Sequence, residues 1–433
     1  MEFDQWEEFR LGELCNIQSS KRIYAKDYVE NGVAFYRSKE IILKHKKEII
    51  NETLYIKHEK FHEIKEKYGA PKENDLLLTS VGTLGVPYLV KKNEEFYFKD
   101  GNLTWFNNFS ETVDSKYIYY WLLSPSGKRE IESITIGSTQ QALTMVSLRK
   151  MIVRLPSYKK QRQISQILGT IDDKIQINLN SISNLEQLAQ TLFKRWFVDF
   201  EFPNKNGDPY KSSGGEMVES ELGMIPAGWE VYKLTELVNN ISESINKKEK
   251  ESAIFLNTSD ILSGSILKRE FSSTKEMPGQ AKKLIKENDI LYSEIRPKNK
   301  RFAYINFSAE DYVVSTKLMV LRTNEEIFSS KVLYLFLTNN ETVNELQLVA
   351  EQRSGTFPQI TFKQLDHFKF ALPSKSIFMN YYQQLEKMID MQLDLNIQNE
   401  SLIELRDTLL PKLLSGEIEL PEETEVIEDV PIS

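Results

Sequence analysis

An apolar period of 3.5 residues between Ile164 and Trp196 constrains this chain more than any other feature. Ile164, Leu168, Ile171, Ile175, Asn178, Ile182, Leu185, Ala189, Leu192 and Trp196 follow one another in unbroken alternating steps of four and three. That is a heptad seam, and a seam of this length predicts a helix that pairs with another long helix. At ~1.5 Å per residue it would run ~50 Å, well beyond an ordinary globular helix. Asn178 is read as a polar seam position that sets register, and Trp196 as core packing at the helix end.

A partner lies in the same chain, because the sequence repeats itself. Trp229-Glu230-Val231-Tyr232-Lys233-Leu234 follows Trp6-Glu7-Glu8-Phe9-Arg10-Leu11 at a distance of 223. Asn288-Asp289-Ile290-Leu291 follows Asn74-Asp75-Leu76-Leu77 at 214. Gln359-Ile360-Thr361 stands opposite Ala142-Leu143-Thr144, Leu372-Pro373 opposite Leu155-Pro156, and Thr408-Leu409 opposite Thr191-Leu192, each at 217. The small changes in offset mark loop insertions. Such a long period is a duplicated module rather than a solenoid, in the order globule, helix, globule, helix.

The second helix is expected from about Tyr381 to Leu414. Leu385, Met388, Leu395, Leu402, Leu409 and Leu413 keep its seam, while Gln392, Asn399 and Arg406 interrupt it. Gly416 ends it. If the two helices pair antiparallel, the globules lie at opposite ends, related by a pseudo-two-fold axis. DNA offers such a pair a ruler, since one helical turn spans ~34 Å. Each globule reads as mixed α/β. In the first, strands are expected at Leu76 to Ser80, Val86 to Val90, Glu95 to Phe98 and Met151 to Leu155. Helices are expected around Tyr55 to Tyr68 and Lys116 to Leu123. Glu201 to Pro226, rich in Pro, Gly, Ser and Asn, reads as a linker.

With 433 residues there is room for two to three domains. No run of about 18 apolar residues occurs, so no transmembrane helix is expected. The opening MEFDQWEEFR is acidic and lacks a secretory h-region. Cys15 is the single cysteine, which excludes an internal disulfide and a Cys-based zinc cluster and suits a cytoplasmic setting. The net charge of −8 is unevenly placed. Residues 1–155 and 156–202 carry +1 each, 203–372 carry −1, and 373–433 carry −9. Each large segment is close to neutral and can present a basic face, so the acidic balance does not argue against a nucleic-acid partner.

Enzyme motifs fail on inspection. His58-Glu59-Lys60-Phe61-His62 satisfies H-E-x-x-H, but its flanks make a solvated charged helix and the next histidine is His367. A surface helix, or a basic helix facing DNA, fits better, and no metal site is expected. Ser126-Gly127-Lys128-Arg129 lacks the first glycine and final hydroxyl of a phosphate loop. No N-P-P-Y motif of adenine methyltransferases is present. Asp289 with Glu294 and Arg296 resembles a nuclease carboxylate set, but the matching Asp75, Ser80 and Gly82 do not keep it. A turn carboxylate before a strand is the better reading, and no catalytic residue is assigned.

Three places suit DNA contact. The first is Arg296, Lys298, Asn299, Lys300 and Arg301 beside Pro297, with the neutral counterpart Ser80 to Gly85, including Thr83. The second is Ser138, Thr139, Gln140 and Gln141, with the counterpart Ser354 to Gln359, including Thr356. Gln can pair bidentately with adenine, and hydroxyls can bind phosphate or base. The third is Lys44, Lys46 and Lys47 around His45. The plainer alternative for each is a solvated surface loop. Matched position in the two halves favours the first two, and their unlike chemistry suggests that the halves read different sequences.

Four stretches resemble a known family. Leu155-Pro156 through Gln161-Arg162-Gln163-Ile164, with Ile171-Asp172-Asp173-Lys174-Ile175, is similar to the helical region of Type I restriction–modification specificity subunits. Phe193 to Phe200 resembles its end, Met217 to Trp229 its linker into the second half, and Leu405 to Ile418 its closing motif. The resemblance implies an α+β fold, with two pseudo-symmetric target recognition globules joined by two long helices in an antiparallel coiled coil. It implies target recognition domains at 1–156 and 227–373, helical regions at 157–200 and 374–420, a linker at 201–226 and an acidic tail at 421–433. It also implies a non-catalytic subunit that reads a bipartite asymmetric site in double-stranded DNA. Two methyltransferase (modification) subunits and restriction subunits would dock on it, and S-adenosylmethionine, ATP and Mg would belong to those partners. A stand-alone coiled-coil DNA-binding or scaffold protein is the alternative, favoured if no methyltransferase co-purifies.

Overall fold

The computed structural model describes residues 6–421 apart from 49, 51, 138–140 and 374, with the backbone alone of 375–378. The chain forms two compact units. One takes in the chain up to Ile177 and again from Asn399 on; the other is Asn178–Gln398. Each unit therefore contains one globule and half of each long helix.

In the first unit, Glu7–Arg10 pairs antiparallel with Ile152–Leu155, closing the globule on itself. Asn16–Gln18, Leu103–Asn107, Leu76–Thr79 and Pro87–Leu89 form an antiparallel sheet in that order. A second sheet runs Tyr28–Val29, Leu54–Ile56, Val33–Tyr36, Phe96–Phe98, its last pair parallel. Leu76–Thr79 is buried throughout, which is why it reads as a continuous apolar run rather than an alternating one. Leu77 turns to Phe96, Phe98 and Trp105. Leu76 and Leu78 turn to a second cluster with Tyr117, Trp121 and Leu148. The expected helix at 55–68 begins later, at His58, because Leu54–Ile56 is taken into the sheet.

The second unit repeats the closing pair and the order of the first sheet, while the edge strands of the second sheet differ. Glu230–Lys233 pairs with Lys369–Leu372. One sheet runs Val238–Asn240, Leu318–Thr323, Ile290–Ser293, Phe302–Tyr304. The other runs Ser272–Ser273, Ser252–Leu256, Tyr312–Ser315, Ala281–Leu284, and again contains one parallel pair. The repeated Asn-Asp pair has a structural cause. Asn74 and Asn288 are left-handed, at φ 68° and 70°, a region asparagine tolerates. Each is followed by a buried carboxylate. Asp75 accepts from Trp105 Nε1 at 2.8 Å and Lys72 N at 3.0 Å. Asp289 accepts from Lys286 N at 2.8 Å and from Arg322 Nε and Nη2, each at 2.7 Å. Asp289 is thus the turn carboxylate anticipated above. Helix corners repeat too. Ser124 ends Ser115–Leu123 and caps Pro125–Ile134 by accepting from Gly127 N at 3.1 Å. Asn339 does the same between Ser330–Thr338 and Asn340–Arg353. A Cβ on Gly127 would clash with the backbone carbonyl oxygen of Trp121, so only glycine fits that corner.

The long helices are Tyr158–Phe193 and Lys375–Ser415. Within the first unit, Asp172 meets Arg406 at 3.0 Å. Within the second, Asn178 Nδ2 donates to Gln398 Oε1 at 2.7 Å and Trp196 packs on Tyr381 with centroids 5.1 Å apart. Numbers rise on one helix as they fall on the other, so the pairing is antiparallel. Ile164, Leu168, Ile171, Ile175, Asn178 and Leu385 are buried. Ile182, Leu185, Leu192, Met388, Leu395, Leu402 and Leu409 are half-buried. Phe193, Tyr382, Ile389, Leu410 and Leu413 are buried as well. The stripe widens there because the helix ends pack into globule cores as well as against each other.

Asp172 is tied from three directions. It accepts from Arg406 of the second long helix, Lys47 at 3.3 Å and Tyr120 Oη at 2.9 Å. Removing one partner of such a half-buried cluster costs about 1–3 kcal/mol. Past Phe193 the first long helix widens by one residue per turn, with Asp199 N bonding to Lys194 O at 2.9 Å. Phe200 then adopts φ 60°. This brings Trp196, Phe197, Phe200 and Phe202 onto Trp229, Tyr381 and Tyr382. The stretch expected as a linker is consequently ordered. Met217–Ser220 and Gly223–Pro226 form a hairpin, and Tyr210 stacks on Phe202 at 4.5 Å. Its aromatic residues outweigh its flexible composition.

His45 ends the helix Ser38–His45, with Nδ1 donating to Pro87 O at 3.0 Å. Burial pushes its pKa down, Arg406 and Lys128 act the same way, and the Pro87 bond and Asp172 oppose them. The unfolded chain therefore binds more protons at mild acidity, and stability falls as pH drops below the ordinary histidine value of about 6.5. Thermal melts from pH 7.5 to 5.5 should show this fall, and His45→Gln should flatten it.

Candidate nucleic-acid interface

In the second unit, the buried strand Ile290–Ser293 delivers the chain into the basic turn. Ile295 bridges Gln359, Ile360 N donates to Glu294 O at 2.9 Å, and Arg296 N donates to Pro358 O at 3.1 Å. The loop after the central strand thus lies against the loop before the closing strand, and Arg296, Thr356 and Gln359 come together. Arg296 and Lys300, at φ 44° and 52°, flank the turn Pro297–Asn299. Left-handed arginine and lysine are strained and persist only where their surroundings hold them. Lys298 N donates to Gln347 Oε1 at 3.1 Å, and Lys300 Nζ to Asn340 Oδ1 at 2.9 Å.

A third element joins these two. After Ser252–Leu256 the chain makes a short hairpin, Ile261–Leu262 with Ser265–Ile266. Arg301 Nη1 donates to Ser259 O at 3.1 Å and Ile261 O at 2.8 Å, while Ser263 N and Gly264 N donate to Lys300 O and Phe302 O. Sequence reasoning missed this hairpin, since its strands have two residues each. The signal was Ser263-Gly264, which takes positive φ at both positions, as a tight hairpin turn requires.

The cations divide into two groups. Arg296 and Lys298 are exposed, with Asn299 beside them, and neither cation forms an ion pair among the described residues. Lys300 and Arg301 are half-buried and hold the loops together. Thr356 is exposed. Gln359 is half-buried, its Nε2 donating to Glu294 Oε2 at 3.0 Å.

The first unit brings the matched loops together in the same way. Val81 bridges Ala142, and Leu143 N donates to Ser80 O at 2.9 Å. Ser80 itself is buried, its hydroxyl 2.7 Å from Thr104 Oγ1, so it supports the loop from inside. Thr83 and Gln141 are exposed at the surface. Ser138, Thr139 and Gln140 lie outside the described residues. The three-lysine site splits. Lys44 pairs with Glu94 at 2.6 Å over the rings of Tyr36 and Tyr88. Lys47 is bound to Asp172, and Lys46 is exposed. The helix that carries Lys44 occupies the place in the first unit that the 261–266 hairpin takes in the second.

His58 and His62 are exposed on His58–Tyr68, and among the described residues no three ligating side chains are grouped to hold a metal. No helix of the described residues is long and apolar enough to cross a membrane.

Comparison with known proteins fits this duplicated arrangement. The model of the Type I restriction modification DNA specificity domain matches twice, at residues 4–187 and 226–405. The chain belongs to this family. Both copies span one globule and most of one long helix, so the internal repeat is a repeat of the family's domain. The HindI specificity subunit of Haemophilus influenzae is 39% identical over 182 residues, 42% of this chain and 39% of that subunit. The MjaIX specificity subunit of Methanocaldococcus jannaschii is 23% identical over 320 residues, 72% of this chain and 70% of that one. A crystal structure of a Type I restriction–modification S subunit from M. genitalium has the same fold, with a TM-score of 0.61 over 98% of both chains at 15% identity.

Arg301 is the clamp between the turn and the hairpin of the second specificity domain. Arg301→Ala should raise amide hydrogen exchange across 259–266 at least tenfold and leave 252–256 unchanged.

Proposed function

We propose that the chain is the sequence-reading subunit of a Type I restriction–modification complex. Each unit reads one half of a bipartite site in double-stranded DNA through its paired loops. The observation that carries this reading is the convergence, in both units, of the loop after the central buried strand with the loop before the closing strand. One scaffold presents two loop sets of unlike chemistry, which is what an asymmetric site demands. In the second unit Arg296, Lys298, Asn299 and Thr356 face solvent for phosphate and base contacts, while Gln359, Lys300 and Arg301 order the loops. In the first, Thr83, Gln141 and Lys46 are the exposed candidates, with Ser138, Thr139 and Gln140 beside Gln141 in sequence.

The partners in this reading are two methyltransferase subunits docked on the long helices, and restriction subunits that join that core. S-adenosylmethionine, ATP and Mg serve the chemistry of those partners. The chain's own work is binding and positioning.

Exchange of residues 1–156 for the corresponding globule of another specificity subunit tests the reading. Methylome sequencing of cells expressing the complex should show one half-site changed and the other kept; change in both would overturn modular recognition. Deleting one heptad from each long helix should alter the spacer and keep both half-sites. An unchanged spacer would show that the helices do not set the distance.

A further inference from the structure

Phe357 is 51% exposed at the tip of the 354–359 loop, on a segment otherwise fastened on both sides. The carbonyl of Thr356 accepts from Arg296 Nη2 at 3.4 Å, and that of Pro358 from Arg296 N at 3.1 Å. Phe357 N donates to Ser354 Oγ at 3.1 Å. Pro358 also holds the residue before it in extended backbone. The ring is therefore presented by a stiff loop. Its surroundings are cationic: Arg296 and Lys298 are exposed on the adjoining turn, and Arg353 is exposed at the start of the loop. Leu262, 41% exposed, stands at the tip of the hairpin clamped to the same turn.

An apolar tip among unpaired cations fits a polyanion whose interior is apolar, and duplex DNA is such a partner. Cations without carboxylate partners in the chain suit a partner of repeating negative charge, which the phosphates of a duplex supply on both sides of an apolar tip. We propose that Phe357 enters the half-site read by the second unit as a wedge between two base pairs, while Arg296 and Lys298 hold the flanking phosphates. The proposal rests on the reading of these loops as DNA-facing and adds a mode of recognition to it. Apolar wedges partly unstack a base step and bend the duplex. The steps that yield most easily are TA and CA/TG, so the wedge selects for such a step without a hydrogen bond to its bases. The repeat places Gln140 opposite Phe357 in the first half. Distortion of this kind therefore belongs to one half-site only.

The test uses the full chain assembled with its methyltransferase subunits. The probe is a duplex carrying the site mapped by methylome sequencing, its half-sites assigned by globule exchange. Permanganate reactivity of thymines, or fluorescence of 2-aminopurine placed at each adenine, reports unstacking. Apart from the target adenines that the methyltransferase subunits turn out in both half-sites, the bound wild-type complex should show one reactive step, in the second half-site. Phe357→Ala should abolish that reactivity and weaken specific binding at least tenfold, with its melting temperature and salt dependence unchanged. Phe357→Trp should retain both the reactivity and the affinity. A second half-site unstacked only at its target adenine in the bound wild-type complex would overturn the wedge, as would unchanged affinity of Phe357→Ala. Loss of methyltransferase assembly in Phe357→Ala would instead assign the ring to a protein contact. Failure of the wild-type complex to bind any duplex sequence-specifically would refute the DNA reading itself, and the wedge with it.

Discussion

Everything in this molecule depends on apolar helix faces that neither long helix can bury alone. Ile164 and Leu168 are covered in the first unit by Leu410 and Leu413, within one core that includes Leu76, Leu148 and Val153. Phe193, Trp196 and Phe197 are covered in the second by Tyr382, Leu385 and Ile389, in a core shared with Phe328 and Phe370. The globules are not beads hung on a rod; half of each rod is part of each globule's interior. Each set of loops is therefore held by a core that includes both helices, and recognition and helix pairing become one packing problem. Polar ties add specificity where the apolar seam is thin. Asp172 with Arg406, and Asn178 with Gln398, choose one register among those that a row of leucines would tolerate.

The scaffold and its loops obey different rules. The scaffold positions are set by backbone demands: a left-handed Asn before a buried Asp, a cap at each helix corner, and a central strand buried on both faces. Those demands recur in both halves and account for the residues that repeat. At the same point in the two halves the chain inserts a helix, Ser38–His45, or a hairpin, Ile261–Ile266, and the four-stranded antiparallel sheet keeps its strand order. Variation gathers in the loops and at the edges of the second sheet and spares the central strands, so one fold can carry unlike loop sets.

Much of this was legible in the sequence, and the reasons are physical. A heptad period has few causes other than a paired helix, and the repeat supplied the partner. The matched loops could be paired by position before any contact was known. The register was not legible, because it turns on Arg406 reaching Asp172, two polar residues far apart in sequence. The split fate of Lys44, Lys46 and Lys47 was not legible either. Whether a lysine faces solvent or Glu94 depends on tertiary neighbours that a run of like charges does not reveal. The order within the connector was not legible either, because its Pro, Gly, Ser and Asn suggest a flexible chain, whereas Phe202 and Tyr210 within it stack on each other and Phe202 packs on Trp229 beyond it.

The division of the chain between the two units has a consequence for how the molecule is made. The second unit is continuous, Asn178–Gln398, and holds all its core residues once that stretch has been synthesised. The first is not: Leu410, Leu413 and Arg406 are made only after the whole of the second unit. Until then the apolar flank of its helix at Ile164 and Leu168 lacks its cover. The globule that is translated first is thus completed last, and its closing contacts span more than 230 residues of chain, from Asp172 to Arg406. Long closures of that kind are slow. A nascent chain of this design exposes its seam to the ribosome's surroundings for the time needed to translate an entire second domain.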